Sequence, residues 1–123
     1  MTTALVIEDN EDNKELITFI LEQSGYQTFW AQTGLQGVEY TQHTPPDFII
    51  LDIQLPDIDG MEVLKRIRSS HTGGHIPIIA MTSYAMAGDR EKLLSAGCDG
   101  YIEKPIDPEK VILQIKEVIG ESI

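Results

Sequence analysis

Four short apolar runs constrain the fold of this chain more than any other feature. Ala4-Leu5-Val6-Ile7, Phe48-Ile49-Ile50-Leu51, Ile76-Pro77-Ile78-Ile79-Ala80-Met81 and Tyr101-Ile102 are continuous rather than alternating. A strand with one wet face alternates apolar and polar residues. A run apolar throughout reads as a strand covered on both faces, as in a parallel sheet. Each run also ends in reactive side chains: Glu8-Asp9-Asn10, Asp52, Thr82-Ser83 and Lys104-Pro105. Ligand sites in open α/β sheets lie at the carboxyl ends of the strands. Three carboxylates, a hydroxyl and an ammonium are therefore expected to converge on one edge.

The segments between the runs carry apolar residues at helical spacing. Residues 4–8 are expected as the first strand, followed by a helix from about Glu11 to Ser24 that buries Leu16, Phe19, Ile20 and Leu21. Asn10 or Asp12 caps it and Gly25 stops it. A second strand spans 26–31, and Thr33 caps a helix running through Val38 and Tyr40 before Pro45-Pro46 forbids continuation. The third strand, 47–52, precedes a helix from Asp59-Gly60 with Met61, Leu64 and Ile67 as its buried stripe. A polar loop from Ser69 to His75 leads to the fourth strand after Ile76, then a helix from roughly Ala85 to Ser95. A short strand around Tyr101-Ile102 precedes the last helix, which has Asp107 as cap and Pro108 at its first position. That helix is expected to bury Val111, Ile112, Ile115, Val118 and Ile119. The pattern predicts one (βα)5 domain over residues 1–123, a doubly wound five-stranded parallel sheet with helices on both faces.

Composition narrows the partners. The 123 residues suit one domain, and the net charge of -11, from 20 acidic against 9 basic residues, repels phosphate backbones and anionic lipid. No direct nucleic-acid or membrane contact is expected. The amino terminus has no basic stretch before an apolar one, so a cytoplasmic location is expected. Cys98 has no internal disulfide partner. His43, His71 and His75 fall in expected loops without ligand spacing, so zinc is not expected.

Magnesium takes hard oxygen ligands and often uses one or two carboxylates with water and phosphate. Glu8, Asp9 and Asp52 are the candidate ligands, and Asp52 is also the candidate nucleophile toward phosphorus. Lys104 and Thr82 would contact the transferred group and offset its charge. Taken singly, each acid reads more readily as a cap or a solvated loop residue than as a functional one, Thr82 as a plain loop hydroxyl and Lys104-Pro105 as a plain turn. Four separate strand ends supplying complementary parts of one site tip the balance.

Leu5-Val6-Ile7-Glu8-Asp9-Asn10, Ile50-Leu51-Asp52-Ile53-Gln54-Leu55-Pro56 with Asp59-Gly60, Met81-Thr82-Ser83 and Tyr101-Ile102-Glu103-Lys104-Pro105 resemble the receiver domain of bacterial two-component response regulators. The resemblance covers essentially the whole chain. The Asp52–Pro56 stretch and Ala85-Met86-Ala87-Gly88-Asp89 look most like stand-alone cell-cycle regulators and the receivers of hybrid kinases. It implies a flavodoxin-like receiver fold with strand order 2-1-3-4-5. It further implies that Asp52 accepts a phosphoryl group from a histidine kinase or histidine phosphotransfer protein, with Mg2+ as cofactor. Asp9 is then a direct Mg2+ ligand, Glu8 acts through water, and Gln54 offers its backbone carbonyl. Thr82 and Lys104 contact the phosphoryl group, and the peptide before Pro105 is cis.

Thr82 and Tyr101 are the implied switch pair, the hydroxyl moving toward the phosphoryl group and the ring turning inward. Gln54 and Tyr84 stand where the family tunes dephosphorylation. Glu8 replaces the Asp found in many members. Output is implied through the face of the fourth helix, fifth strand and fifth helix, near Tyr84-Ala85-Met86 and Tyr101. Such a signalling phosphoprotein is not a turnover enzyme; it catalyses only its own phosphorylation and dephosphorylation.

Two other readings fit less well. A haloacid-dehalogenase-like phosphohydrolase also uses Asp, Thr, Lys and Mg2+, but it needs a second Asp two residues after the nucleophile, where Gln54 stands. A flavodoxin-like binder needs phosphate donors in the first loop, which here reads Glu8-Asp9-Asn10-Glu11-Asp12.

Overall fold

Alternate residues of a strand face opposite sides of its sheet, so a run apolar throughout must be buried on both sides. That condition is met. A computed structural model describes residues 2–70, 74–83 and 87–120, with the side chains of 87–90 left out. His71, Tyr84, Ala85 and Met86, singled out above, lie outside the described residues. The strands are β1 (Thr3–Ile7), β2 (Gln27–Ala31), β3 (Phe48–Asp52), β4 (Ile78–Thr82) and β5 (Gly100–Glu103). The helices are α1 (Glu11–Gln23), α2 (Gly34–His43), α3 (Gly60–Ser69), α4 (Ala87–Ser95) and α5 (Pro108–Ile119). All strand pairs are parallel and the order is β2-β1-β3-β4-β5, as the resemblance implied.

Leu5, Ile7, Ile49, Leu51, Ile78 and Ala80 meet Val38 of α2, Val63, Leu64 and Ile67 of α3, and Leu93 of α4 on one face. Ala4, Val6, Phe48, Ile50, Ile79 and Met81 meet Ile17, Ile20 and Leu21 of α1 with Val111 and Ile115 of α5 on the other. Each fully buried Leu or Ile contributes about 1.5–3 kcal/mol, which is what pins the register. Four helix starts are capped by side chains named or implied by the sequence. Asn10, Thr33, Asp59 and Asp107 accept from the backbone N–H groups of Asn13, Gln36, Met61 and Glu109.

Several expected details are different. In α1 the buried residues are Ile17, Ile20 and Leu21, while Leu16 is 38% and Phe19 61% exposed. Apolar residues at 16, 17, 19, 20 and 21 allow two phases of a helical stripe, and packing against the β1–β3–α5 cluster selects the second. In α3, Val63 replaces Met61 in the buried set for the same reason; Met61 sits half-buried at the cluster's margin. Ile112, Val118 and Ile119 are half-buried rather than buried. Asn10, not Asp12, caps α1, and His43 ends α2 instead of lying in a loop. Among the described residues no helix is long and apolar enough to cross a membrane.

Candidate functional site

Parallel pairing aligns the carboxyl ends of β1, β3, β4 and β5, so the polar residues following each apolar run share one edge. Pairing of β1 stops at Ile7, and the chain turns with Glu8 fully buried and Asp9 half-buried. Glu8 Oε1 accepts from the Asn10 backbone N–H and from Asn13 Nδ2, each at 3.3 Å. Its Oε2 is buried and has no hydrogen-bond partner among the described residues. Asp52, the last residue of β3, is 2% exposed. Its Oδ1 accepts from the Gln54 backbone N–H at 3.0 Å and from Lys104 Nζ at 3.1 Å. Carboxylate oxygens of Glu8, Asp9 and Asp52 lie within 4.8 Å of one another.

Thr82 ends β4 and is buried, and its backbone carbonyl accepts from the Lys104 N–H at 2.9 Å. The Lys104–Pro105 peptide is cis. These contacts bring Glu8, Asp9, Asp52, Thr82 and Lys104 to one place. Gln54 lies exposed beside them, its side-chain oxygen accepting from Ser83 Oγ at 2.8 Å. Tyr101 pairs with Ala80 across the sheet and packs, half-buried, against the first core cluster.

The electrostatics of this edge are unbalanced. Burial pushes the Glu8 carboxyl up to about 7, and neighbouring Asp52 pushes the same way, against the opposing pull of Lys104 and Asn13. One ammonium faces three carboxylates, and one buried oxygen lacks a donor. A hard divalent cation answers both deficits: it takes oxygen ligands and adds positive charge beyond the single Lys104 ammonium. The donor set therefore fits Mg2+.

Three supporting residues escaped the sequence reading. Asn13 holds Glu8; Trp30 donates its indole N–H to the Glu8 backbone carbonyl at 2.7 Å; Asp57 accepts from the N–H groups of Gly34 and Leu35. Asn13 was within reach, because it lies one helical turn past its cap. Trp30 and Asp57 sit more than twenty residues from their partners, and nothing local announces such a contact.

Residues 4–116 match the family model of the response regulator receiver domain. The polar-differentiation response regulator DivK of Brucella ovis is 39% identical over 120 residues, covering 98% of each chain. The receiver domain of the sensor histidine kinase PA1611 from Pseudomonas aeruginosa, solved with a magnesium ion in its active-site cleft, superposes with a TM-score of 0.89 at 33% identity over 98% of both chains. The chemotaxis protein CheY4 of Vibrio cholerae shares the fold, with a TM-score of 0.90 at 24% identity over 96% of this chain and 98% of its own.

Proposed function

The chain belongs to the response regulator receiver domain family, and on that premise we propose that Asp52 is its phosphoacceptor. The observation that carries this reading is the meeting of Glu8, Asp9 and Asp52 within 4.8 Å, with Lys104 bonded to Asp52. The receiver unit is taken to extend over residues 1–123, slightly beyond the matched segment. The phosphodonor is a histidine kinase or a histidine phosphotransfer protein. An Asp52 carboxylate oxygen attacks phosphorus, forming an O–P bond as the donor's N–P bond breaks, and the donor imidazole leaves with the electron pair.

Glu8, Asp9, Asp52 and the Gln54 backbone carbonyl would hold Mg2+. When bound, the ion supplies Lewis-acid neutralisation of charge on the transferred group. Lys104, paired with Asp52 at 3.1 Å, lies where it can follow the same charge. Thr82, buried at the end of the neighbouring strand, offers a hydroxyl to a phosphoryl oxygen. Burial of Asp52 limits the access of water to the acyl phosphate. In this reading the domain catalyses only its own phosphorylation and dephosphorylation.

Thr82 and Tyr101 form the switch pair, and output is a change of protein partner at the face of α4, β5 and α5, without contact to nucleic acid or membrane. Phosphorylation shifts an equilibrium between two arrangements of that face. The cytoplasm is the compartment where such a donor meets it.

The test is intact-mass measurement after incubation with Mg2+ and acetyl phosphate. Wild type should gain one phosphoryl mass and lose the gain when Mg2+ is chelated beforehand. An Asp52→Asn variant with the same gain would overturn the assignment.

A further inference from the structure

The two loops that carry the acidic cluster are tied to the same third segment, the stretch from the end of β2 to the start of α2. On one side, the Trp30 indole N–H reaches the Glu8 backbone carbonyl at 2.7 Å. The Lys14 ammonium lies 4.3 Å above that ring and helps hold its plane. On the other side, Asp57 Oδ1 accepts from the Gly34 N–H and Oδ2 from the Leu35 N–H, both at 2.9 Å. These amides open α2, where a helix leaves its N–H groups without internal partners. The cap residue Thr33 serves the later amide of Gln36. Burial is the largest single influence on the Asp57 carboxyl and raises it, but the N–H groups of Leu35, Gly34, Ile58 and Asp57 itself together more than reverse this and leave it below its ordinary value.

Close approach is required for the second tie. A Cβ at position 34 would fall 2.6 Å from Val63 Cγ2 and 2.9 Å from Ile58 Cγ1, so glycine is what lets the loop reach the helix. The loop itself is closed at its base by the Gly60 N–H on the Ile53 carbonyl at 3.1 Å. Gln54 therefore stands on a small ring of chain anchored at base and tip.

We propose that the stretch from Trp30 at the end of β2 to Leu35 at the start of α2 is a brace, in which Trp30 and its partner Asp57 act as positioning residues that set the spacing between the Glu8–Asp9 turn and the Asp52–Gln54 loop. The inference rests on the magnesium reading above. Like charges on Glu8, Asp9 and Asp52 push the two loops apart, and a divalent cation draws them together. Magnesium accepts little deviation from octahedral geometry, so slack between its two ligand-bearing loops appears directly as lost affinity. Trp30 grips the backbone of Glu8 and leaves its carboxylate free to act; Asp57 grips α2 and leaves Asp52 free. Neither touches the phosphoryl position, so both act through the ligands they hold.

The experiment is calorimetric titration of the whole protein with Mg2+ alone, paired with urea denaturation in the absence of metal. Asp57→Ala should weaken Mg2+ binding roughly tenfold and Trp30→Phe, which keeps the ring but loses the N–H, roughly threefold. Asp57→Asn retains one acceptor oxygen and should fall between wild type and Asp57→Ala. Asp107→Ala supplies the contrast: it removes the cap of α5, a helix outside the brace, without cutting a tie between the loops. It should lose stability while holding Mg2+ affinity within about twofold of wild type. Wild-type affinity in both Asp57→Ala and Trp30→Phe overturns the brace, as does Asp107→Ala weakening Mg2+ as much as Asp57→Ala. Wild-type protein that takes up no Mg2+ at all instead overturns the magnesium reading and the brace with it.

Discussion

The two edges of the sheet handle charge in opposite ways. At the amino-terminal edge, Arg68 donates through Nε to the Gly97 carbonyl at 2.8 Å, through Nη1 to the Ile76 carbonyl at 2.6 Å, and through Nη2 to Asp99 at 2.7 Å. Asp99 also accepts from the Ile78 N–H at 2.8 Å, and Asp47 accepts from the Thr3 N–H at 2.6 Å. Each of these carboxylates faces donors. At the carboxyl-terminal edge three carboxylates face one another and, among the described residues, one ammonium serves them and a buried oxygen of Glu8 has no partner. The first edge stitches α3, β4 and the start of β5 together. The second sets its carboxylates against one another, a repulsion that a divalent cation would relieve. One edge is built for the folded state and the other for its reaction.

The largest expected effect tests the stitched edge. Arg68→Ala leaves two carbonyls and a carboxylate short of donors and should cost about 3 kcal/mol in urea denaturation. If the edges are independent, its Mg2+ affinity should match wild type. Next in size is the response to metal. Mg2+ at one hundred times its Kd should stabilise wild type by about 2.7 kcal/mol. Arg68→Ala should keep that increment and Asp9→Asn should lose most of it; equal increments in both would erase the contrast.

Glu8 sharpens the comparison through pH. Its folded carboxyl titrates at about 7 against an ordinary 4.5, so the group's contribution to stability is fully present below pH 4.5 and lost as pH rises through 7. Metal-free Glu8→Gln should therefore be more stable than wild type at pH 8 by about 3 kcal/mol, with the gain vanishing near pH 4. Urea midpoints across that range measure it. A destabilised Glu8→Gln at pH 8 would mean the site carries no stored repulsion. The smallest effect belongs to the exposed Glu62–Arg66 pair of α3, 3.1 Å apart. Arg66→Ala should move stability by no more than about 0.5 kcal/mol, because water screens a pair that neither edge constrains.

Much of this was legible beforehand where the determinant was local. The strands followed from runs such as Phe48–Leu51, and the caps Thr33 and Asp107 from their own side-chain chemistry. The acidic cluster was legible too, since parallel strands must present their carboxyl ends together. The phase of α1 was not: five apolar residues within 16–21 left two stripes open, and the placement of α5 and β3 selected one. Nothing local to Arg68 announces its role, because its partners at 76, 97 and 99 lie on other elements.

By itself, then, the amino-acid sequence determined the alternation of strand and helix, the burial of the sheet on both faces, and the set of side chains delivered to one edge. These depend on spacing and on the ends of short segments. The tertiary structure alone decided which helix faces are buried, that one Glu8 oxygen has no partner among the described residues, and that Trp30 reaches the Glu8 carbonyl while Asp57 reaches the start of α2. Those outcomes depend on distances between elements remote in the chain, and they exist only once strand order brings the elements side by side.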